Sequence, residues 1–203
     1  LLPGSTDSRF RRERRGAKGR TQEIERLVAR SLRAAVDLEE LGPIALNVDC
    51  DILNADGGTR CASITAANLA LRLGVRRLIA AGICLPKNMR PTEEQRRSGW
   101  SPPALSEEEQ MAHEMRVMEH DVAAISVGLI DGKSYLDLDY NLDSNADVDM
   151  NVVKVSNGAF VEVQGTGEES TYQRQELDAL LDMADIGFEA LFEMQKTILH
   201  GQQ

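Results

Sequence analysis

The chain has 203 residues, of which 42% are apolar and 28% charged, a composition typical of one folded domain large enough to bury a core. No apolar run approaches the roughly 20 residues of a membrane-spanning helix, so we expect no membrane partner. Cys50, Cys61 and Cys84 are odd in number and lack CxxC spacing. This pattern argues against a disulfide scaffold and predicts free thiols in a reducing, cytoplasmic compartment.

The formal net charge of −10 is distributed unevenly. Residues 1–20 carry seven Lys/Arg against Asp7 and Glu13, a local charge of +5, so the remainder carries −15. The basic residues are Arg9, Arg11, Arg12, Arg14, Arg15, Lys18 and Arg20. A basic arm on an acidic body is typical of a surface that contacts phosphate or nucleic acid. A solvated or disordered charge run fits the composition equally well.

The first half of the chain predicts a helix, a strand and a second helix. Apolar residues recur at helical spacing over 21–39, with Thr21 as N-cap. Residues 44–52 alternate apolar and polar side chains, which predicts a half-buried strand. After the turn that contains Gly57 and Gly58, we expect a helix capped by Ser63 or Thr65 and closed at Gly74.

The second half begins with a polar segment, which we interpret as a surface insertion at 76–120 within a single domain, 1–203. It includes a charged helix from about Ser106 to His120, on which His113 and His120 are expected at the surface. Asp131-Gly132 and Asn157-Gly158 each predict a hairpin turn. A long helix over about 171–199 ends the chain. This order predicts an α+β domain with helices packed on a mixed sheet.

Two short stretches could bind an anion. Arg20 and Thr21 lie at a predicted helix start, where unpaired N–H groups and the helix dipole favour negative charge. The NADGGTRCASIT stretch repeats this arrangement: glycines allow close approach of the backbone, and Thr59 and Arg60 supply a hydroxyl and a cation. Taken alone, an ordinary helix cap with a surface arginine explains the first stretch better. The two together favour a phosphate site.

Carboxylates are concentrated in DGKSYLDLDYNLDSNADVDMN. Asp137 and Asp139 are two residues apart on a predicted strand, so both would point to one face, and Asp143, Asp147 and Asp149 follow. Oxygen ligands of this kind suit Mg²⁺ or Mn²⁺ beside substrate phosphates. The alternative is a solvated strand edge whose charges block aggregation. With the two anion sites and the basic arm, the pattern favours phosphoryl transfer that involves a nucleic acid.

Five blocks in chain order resemble the signature blocks of the RNase PH family, phosphate-dependent 3'→5' exoribonucleases that trim tRNA 3' ends. The blocks are LLPGSTDSRFRRE, GRTQEIERLVARSLRAAVDL, ADGGTRCASIT, LDLDYNLDSNADVDMNVV and FVEVQGT. They cover nearly the whole chain except about 76–120. The related archaeal exosome subunits and polynucleotide phosphorylase share the ADxGTR turn, whereas the last two blocks point to RNase PH itself.

The resemblance implies a role for each block. Orthophosphate, the co-substrate, would bind Arg20, Gly58, Thr59 and Arg60. Asp137 and Asp143 would be catalytic, and with Asp149 would hold Mg²⁺ or Mn²⁺. RNA would contact Arg9 and Arg12, with the contact extended by Arg11, Arg14 and Arg15. The implied fold is a βαβα-type α+β domain similar to ribosomal protein domain 2, and the implied assembly is a homo-hexamer, a trimer of dimers, that acts on tRNA and other RNA 3' ends.

The sequence departs from the family pattern in a few places. Leu142 stands where the family usually has Glu, Cys61 where it has Thr, and Ala66 where it has Gly. Family members also carry some sixty residues before the first block, including the first strands of the sheet, so we expect this chain to lack the N-terminal strands. A non-catalytic RNA-binding ring subunit of exosome type and a metal-dependent hydrolytic nuclease stay open as alternatives.

Overall fold

The protein was analysed as a computed structural model that describes residues 2, 4–6, 19–167 and 170–201. These residues form seven α-helices, one 3₁₀ turn and four strands. In chain order they are α1 Gly19–Ala35, α2 Leu38–Leu41, α3 Thr59–Ala80, the 3₁₀ turn Lys87–Met89, α4 Glu93–Arg97, α5 Glu107–Val117, β1 Val122–Ile130, β2 Lys133–Leu136, α6 Tyr140–Asp143, β3 Val148–Val155, β4 Phe160–Gly167 and α7 Arg174–His200.

The four strands form one open sheet in the order β2-β1-β3-β4, and every described pair is antiparallel. Both predicted hairpins are confirmed, with turns at Asp131-Gly132 and Asn157-Gly158. The α+β class is also confirmed, although the described sheet is antiparallel throughout rather than mixed. Within the described ranges, no helix is long and apolar enough to cross a membrane.

Side-chain alternation along β1 divides the interior into two layers. Val122 and Ala124 face a core built mainly from α1, α3 and α5. Ala123 and Ile125 face the opposite core, which α7 closes with Leu180 and its neighbours. Because β1 is covered on both faces, eight of its nine residues are buried, which explains its almost continuous apolar sequence.

Helices α1 and α3 differ from the prediction at their ends. Helix α1 begins at Gly19, so Thr21 lies inside the helix and is not its cap. Helix α3 begins at Thr59 and continues past Gly74 to Ala80. Gly74 does not end α3, since a glycine alone weakens a helix by only about 1 kcal/mol and packing against β1 outweighs that cost.

The predicted caps of α3 have other roles. Ser63 donates its hydroxyl hydrogen bond to the Thr59 carbonyl one turn earlier. The Thr65 hydroxyl accepts a hydrogen bond from the Ala124 N–H at 3.0 Å and is 3.3 Å from the Ala124 carbonyl. Both residues therefore lie within α3, and Thr65 joins that helix to β1.

The predicted strand at 44–52 does not form. The alternation correctly identified the inward side, since Ile44, Leu46 and Cys50 pack against the α1–α3 core. No described strand pairs with this segment, however, and an extended backbone becomes sheet only when a neighbour supplies ladder hydrogen bonds. The segment is an irregular stretch beside α1 and α3.

Residues 76–120 are more closely integrated than a surface loop. The first five complete α3, and the charged helix spans Glu107–Val117 rather than Ser106 to His120. Ser106 caps that helix. His113 is fully buried, so the expectation of a surface residue was wrong; its helix packs against α3, and Nε2 lies 3.6 Å from the Cys84 sulfur. That 76–120 constitutes an insertion stays a prediction.

Candidate active site

The glycine turn ends at the N-terminus of α3. Gly57 and Gly58 have φ values of 74° and 51°, in the left-handed region that favours glycine. Gly58 is the N-cap residue, and within the described residues no side chain caps this helix. The first N–H groups of α3 therefore lack a side-chain acceptor, the condition under which a helix start binds an anion.

The two predicted anion sites lie at one groove. Arg20, in the first turn of α1, lines it together with Thr59 and Arg60 from the first turn of α3. The groove has a volume of about 970 Å³, and its remaining walls are largely apolar side chains of α1 and of the irregular segment 44–52. The sequence predicted two anion sites, each with an arginine and a threonine. In the structure both lie at helix starts, those of α1 and α3, and both line the same groove.

Glu23 joins the two stretches. Its Oε2 lies 3.0 Å from Arg60 Nη2, and its Oε1 accepts a weaker hydrogen bond of 3.4 Å from Gln164 on β4. Burial opposes ionisation of the Glu23 carboxyl, but the hydrogen bond and charge of Arg60, with a smaller contribution from Arg20, outweigh it and hold its pKa below the ordinary value. Glu23 is therefore ionised and interacts with both arginines, Arg20 and Arg60, that are candidates to bind phosphate.

The acidic residues do not share a strand face, contrary to the prediction. Strand β2 ends at Leu136, and Asp137 has a φ of 54°, a conformation uncommon for a residue other than glycine. Asp139 instead caps α6, since its Oδ1 accepts the Leu142 N–H at 2.8 Å. The alternation of Leu136 and Leu138 imitated a strand, and the left-handed residue between them breaks the period.

Ser126 on β1 fixes the position of Asp137. Its carbonyl accepts the Asp137 N–H at 2.9 Å, and its hydroxyl accepts the Leu138 N–H at 3.2 Å. A Cβ built on Gly58 would lie 3.7 Å from Asp137 Oδ1. The Asp137 carboxylate is therefore next to the glycine turn.

Two contacts hold the acidic loop, residues 137–139, and the adjoining start of α6 against the glycine turn. Asp56 Oδ1 accepts the Tyr140 N–H at 3.1 Å. Gly57 packs so closely on this loop that a Cβ there would lie 2.1 Å from the Leu138 carbonyl oxygen. Segments separated by some eighty residues are thus joined at the point where both carry candidate functional groups.

Asp149 and Cys61 complete the surroundings of the turn. Burial, reinforced by the negative charge of Asp149, raises the pKa of the Cys61 thiol to about 12, against an opposing effect of Arg60. The thiol donates to Asn151 Oδ1 at 3.0 Å. Asp149 is on β3 opposite Gly128, and Asp143 is the last residue of α6. Asp147 has a structural role, since its Oδ2 accepts the Asp131 N–H.

Among the described residues, no group of three or more His, Cys, Asp or Glu side chains is placed to hold a metal ion. A cation at Asp137, Asp143 and Asp149 stays a prediction. Mg²⁺ needs only one or two protein carboxylates when substrate phosphates supply further ligands, and carboxylate oxygens suit it. The predicted RNA contacts Arg9, Arg11, Arg12, Arg14 and Arg15 lie outside the described residues.

Several residues that shape the site were not identified from the sequence. Glu23 had a usable signal, since it follows Arg20 by three positions and so lies on the same side of a helix. Ser126 had none, because it is one polar residue inside an apolar strand. Gln164 lies in the FVEVQGT block but was given no individual role.

Comparison with known proteins places this geometry in a family. The model of the 3' exoribonuclease family, domain 1, matches residues 1–74, and that of domain 2 matches residues 120–187. The chain is 48% identical over 200 residues to ribonuclease PH of Rhodopirellula baltica, covering 98% of this chain and 72% of the relative. It is 43% identical over 196 residues to that of a Synechococcus strain, covering 97% and 68%.

A solved structure shares the fold. The crystal structure of rice (Oryza sativa) Rrp46 covers 91% of this chain and 68% of its own, with a TM-score of 0.57 and 12% identity. At that identity the likeness concerns the fold alone. The sequence matches carry the assignment, and they confirm both the family and the enzyme class implied by the resemblance: the chain belongs to the RNase PH family of 3' exoribonucleases.

Proposed function

We propose that this chain is a phosphorolytic 3'→5' exoribonuclease that trims tRNA precursor 3' ends and releases nucleoside diphosphates. One observation carries the proposal: the Asp56–Tyr140 hydrogen bond and the Gly57 contact hold the acidic loop against an uncapped helix start. An anion site and a carboxylate that meet in this way suit a reaction in which phosphate is the nucleophile.

In the proposed reaction, orthophosphate binds between Arg20 and Arg60 and accepts hydrogen bonds at the start of α3, near Gly58 and Thr59. A phosphate oxygen attacks the terminal phosphodiester, the bond to the ribose 3' oxygen breaks, and a nucleoside diphosphate leaves. Hydrogen phosphate loses its proton as it attacks, and Asp137 or Asp143 relays a proton to the departing 3' oxygen. Mg²⁺ or Mn²⁺, held by Asp137, Asp143 and Asp149 with the substrate phosphates, would neutralise charge on the transferring group.

The wider setting is also part of the proposal. RNA 3' ends are bound by five arginines of the basic arm, Arg9, Arg11, Arg12, Arg14 and Arg15, through counterion release at phosphates. The active form is a homo-hexamer, a trimer of dimers. The three unpaired cysteines, Cys50, Cys61 and Cys84, support a reducing, cytoplasmic location.

The function is tested with a 3'-extended tRNA and Mg²⁺, with and without orthophosphate, followed by identification of the released nucleotides. We expect nucleoside diphosphates only when phosphate is present, and the reverse reaction with excess nucleoside diphosphate. Nucleoside monophosphates released without phosphate would instead identify a hydrolase. RNA binding without release would identify a non-catalytic ring subunit.

Arg20→Ala tests the phosphate assignment. A charge-assisted hydrogen bond contributes about 1.5–3 kcal/mol, so the KM for phosphate should rise about tenfold or more while the protein stays folded. Arg26→Ala is the matched control, because Arg26 is an exposed arginine of the same helix. A wild-type phosphate KM in Arg20→Ala would contradict the assignment.

A further inference from the structure

Glu23 is the point at which three elements of the candidate site meet. It belongs to α1, contacts Arg60 at the start of α3, and receives a hydrogen bond from Gln164 on β4. Its side chain is about 37% exposed and that of Arg60, which lines the groove, about 25%, so the pair is partly accessible to solvent. The sequence comparison and the proposed chemistry give Glu23 no role.

Arg60 depends on this carboxylate for its orientation. Its guanidinium is at the end of a long, flexible side chain whose ordering opposes binding unless the side chain is held in advance. Among the described residues, Arg60 donates a hydrogen bond from Nη2 to Glu23, and its Nε is buried without a hydrogen-bond partner. Removal of the acceptor would therefore leave the Arg60 side chain with nothing in the described structure to direct it.

Gln164 in turn directs Glu23. Its Nε2 donates to Oε1 while Oε2 faces Arg60, so the two carboxylate oxygens have different partners. This arrangement restricts rotation of the carboxylate and gives the Arg60 guanidinium one fixed acceptor from which its plane is oriented. Because phosphate recognition by arginine relies on a fixed planar fork, the plane matters more than the charge alone.

We propose that Glu23 is a positioning residue for the phosphate site, where its carboxylate, oriented by Gln164, holds the Arg60 guanidinium in the geometry that binds orthophosphate. The inference rests on the proposed function, since it takes orthophosphate as the ligand of Arg60. It also explains why a carboxylate is present where an anion binds. The repulsion between Glu23 and phosphate is outweighed by the gain from an Arg60 guanidinium that is already oriented.

Two simpler roles give different outcomes. If Glu23 acted only through its charge, every substitution that removes the charge would strengthen phosphate binding. If it were only a structural ion pair, substitution would lower thermal stability and leave the phosphate KM unchanged. A positioning role requires an acceptor atom but not a negative charge. Glu23→Gln should therefore keep the affinity for orthophosphate that Glu23→Ala loses.

The experiment measures the KM for orthophosphate and kcat in the wild type and in Arg60→Ala, Glu23→Ala, Glu23→Gln and Gln164→Ala. It also measures the rise in melting temperature that orthophosphate alone produces in each protein. We expect Glu23→Ala to raise the KM about tenfold, Glu23→Gln to stay within about threefold of wild type, and Gln164→Ala to lie between them, with kcat changed less than KM throughout. Glu25→Gln, an exposed acid of the same helix, controls for loss of charge near the site.

The results separate this inference from the proposed function. If Arg60→Ala keeps the wild-type response of the melting temperature to phosphate, Arg60 is not a phosphate ligand and the positioning role of Glu23 falls with that assignment, whereas the function itself is decided by the nucleotides released with and without phosphate. If Arg60→Ala loses that response but Glu23→Ala keeps a KM within threefold of wild type, only the positioning role is refuted. Equal losses in Glu23→Ala and Glu23→Gln would also refute it, since they would indicate a need for the charge rather than for the acceptor.

Discussion

The contact between Gly57 and the acidic loop should make Gly57→Ala one of the most damaging small substitutions in this protein. A methyl group there would lie 2.1 Å from the Leu138 carbonyl oxygen and 2.9 Å from the Asp139 carbonyl carbon. Real Cβ atoms do not approach backbone oxygen so closely, so either the turn or the loop has to move. The Gly57 φ of 74° adds a second penalty, because it lies in the left-handed region.

The loop cannot move away easily. Leu138 is 1% exposed, and its N–H is held by the Ser126 hydroxyl. Its side chain also fills the space over Gly128, where a Cβ would lie 2.6 Å from Leu138 Cδ1. Displacement of the loop would therefore break a hydrogen bond, open a packed contact and shift Asp137 away from the glycine turn.

The magnitude follows from these two penalties. A non-glycine residue in the left-handed region costs about 1–2 kcal/mol. Overpacking of a site that cannot relax adds about 1–3 kcal/mol. We therefore expect Gly57→Ala to lower the free energy of unfolding by about 2–5 kcal/mol.

Urea denaturation of Gly57→Ala and Gly132→Ala separates the two penalties. Gly132, in the β1–β2 hairpin, has a similar φ of 71°, but a Cβ there would meet nothing within 4 Å, so only the backbone cost applies. Gly57→Ala should be less stable than Gly132→Ala by about 1–3 kcal/mol. Equal stabilities would refute the argument that the turn and the acidic loop are in obligatory contact.

Two further predictions concern buried titratable groups. Burial, with a smaller effect of Arg116, lowers the pKa of His113 below its ordinary 6.5. As the pH falls below that value, the imidazole is therefore protonated more readily in the unfolded chain than in the folded protein. Stability should therefore fall as pH drops below about 6.5, and the fall should be smaller in His113→Gln but not in His120→Gln, as measured by urea midpoints at pH 7.5 and 5.5. Burial raises the thiol pKa of both Cys50 and Cys61, but Cys50 is partly exposed and Cys61 is buried. Iodoacetamide at pH 8 should therefore alkylate Cys50 first, as peptide mass spectrometry would show; faster labelling of Cys61 would contradict its burial beneath the glycine turn.

The sequence predicted local features well wherever one residue type decides the conformation. The Asp131-Gly132 and Asn157-Gly158 turns were correct because left-handed positions in tight hairpins strongly select these residues. The α7 helix was correct within three residues because its apolar stripe spans many turns. Motif resemblance identified the family, which the relatives confirm.

Predictions failed where long-range contacts decide. The alternation at 44–52 indicated burial correctly but could not show whether a neighbouring strand would pair with it. The alternation around Asp137 imitated a strand, although Ser126 on the neighbouring strand β1 holds the backbone in a different conformation. Glu23 was overlooked because its contacts are with Arg60 and Gln164, which are distant in sequence and are brought near it by the fold.

The left-handed conformation of Asp137 is the clearest structural sign that this region has a function. Asp131 also has a positive φ, but it lies in a hairpin turn, where aspartate tolerates that conformation. Asp137 follows a strand, and hydrogen bonds from its own N–H and that of Leu138 to Ser126 hold it there. Such strain persists only where the surroundings enforce it, and it concentrates at functional sites. Here it turns a carboxylate out of the strand direction and towards the glycine turn, at the place where the proposed reaction needs a carboxylate beside the phosphate.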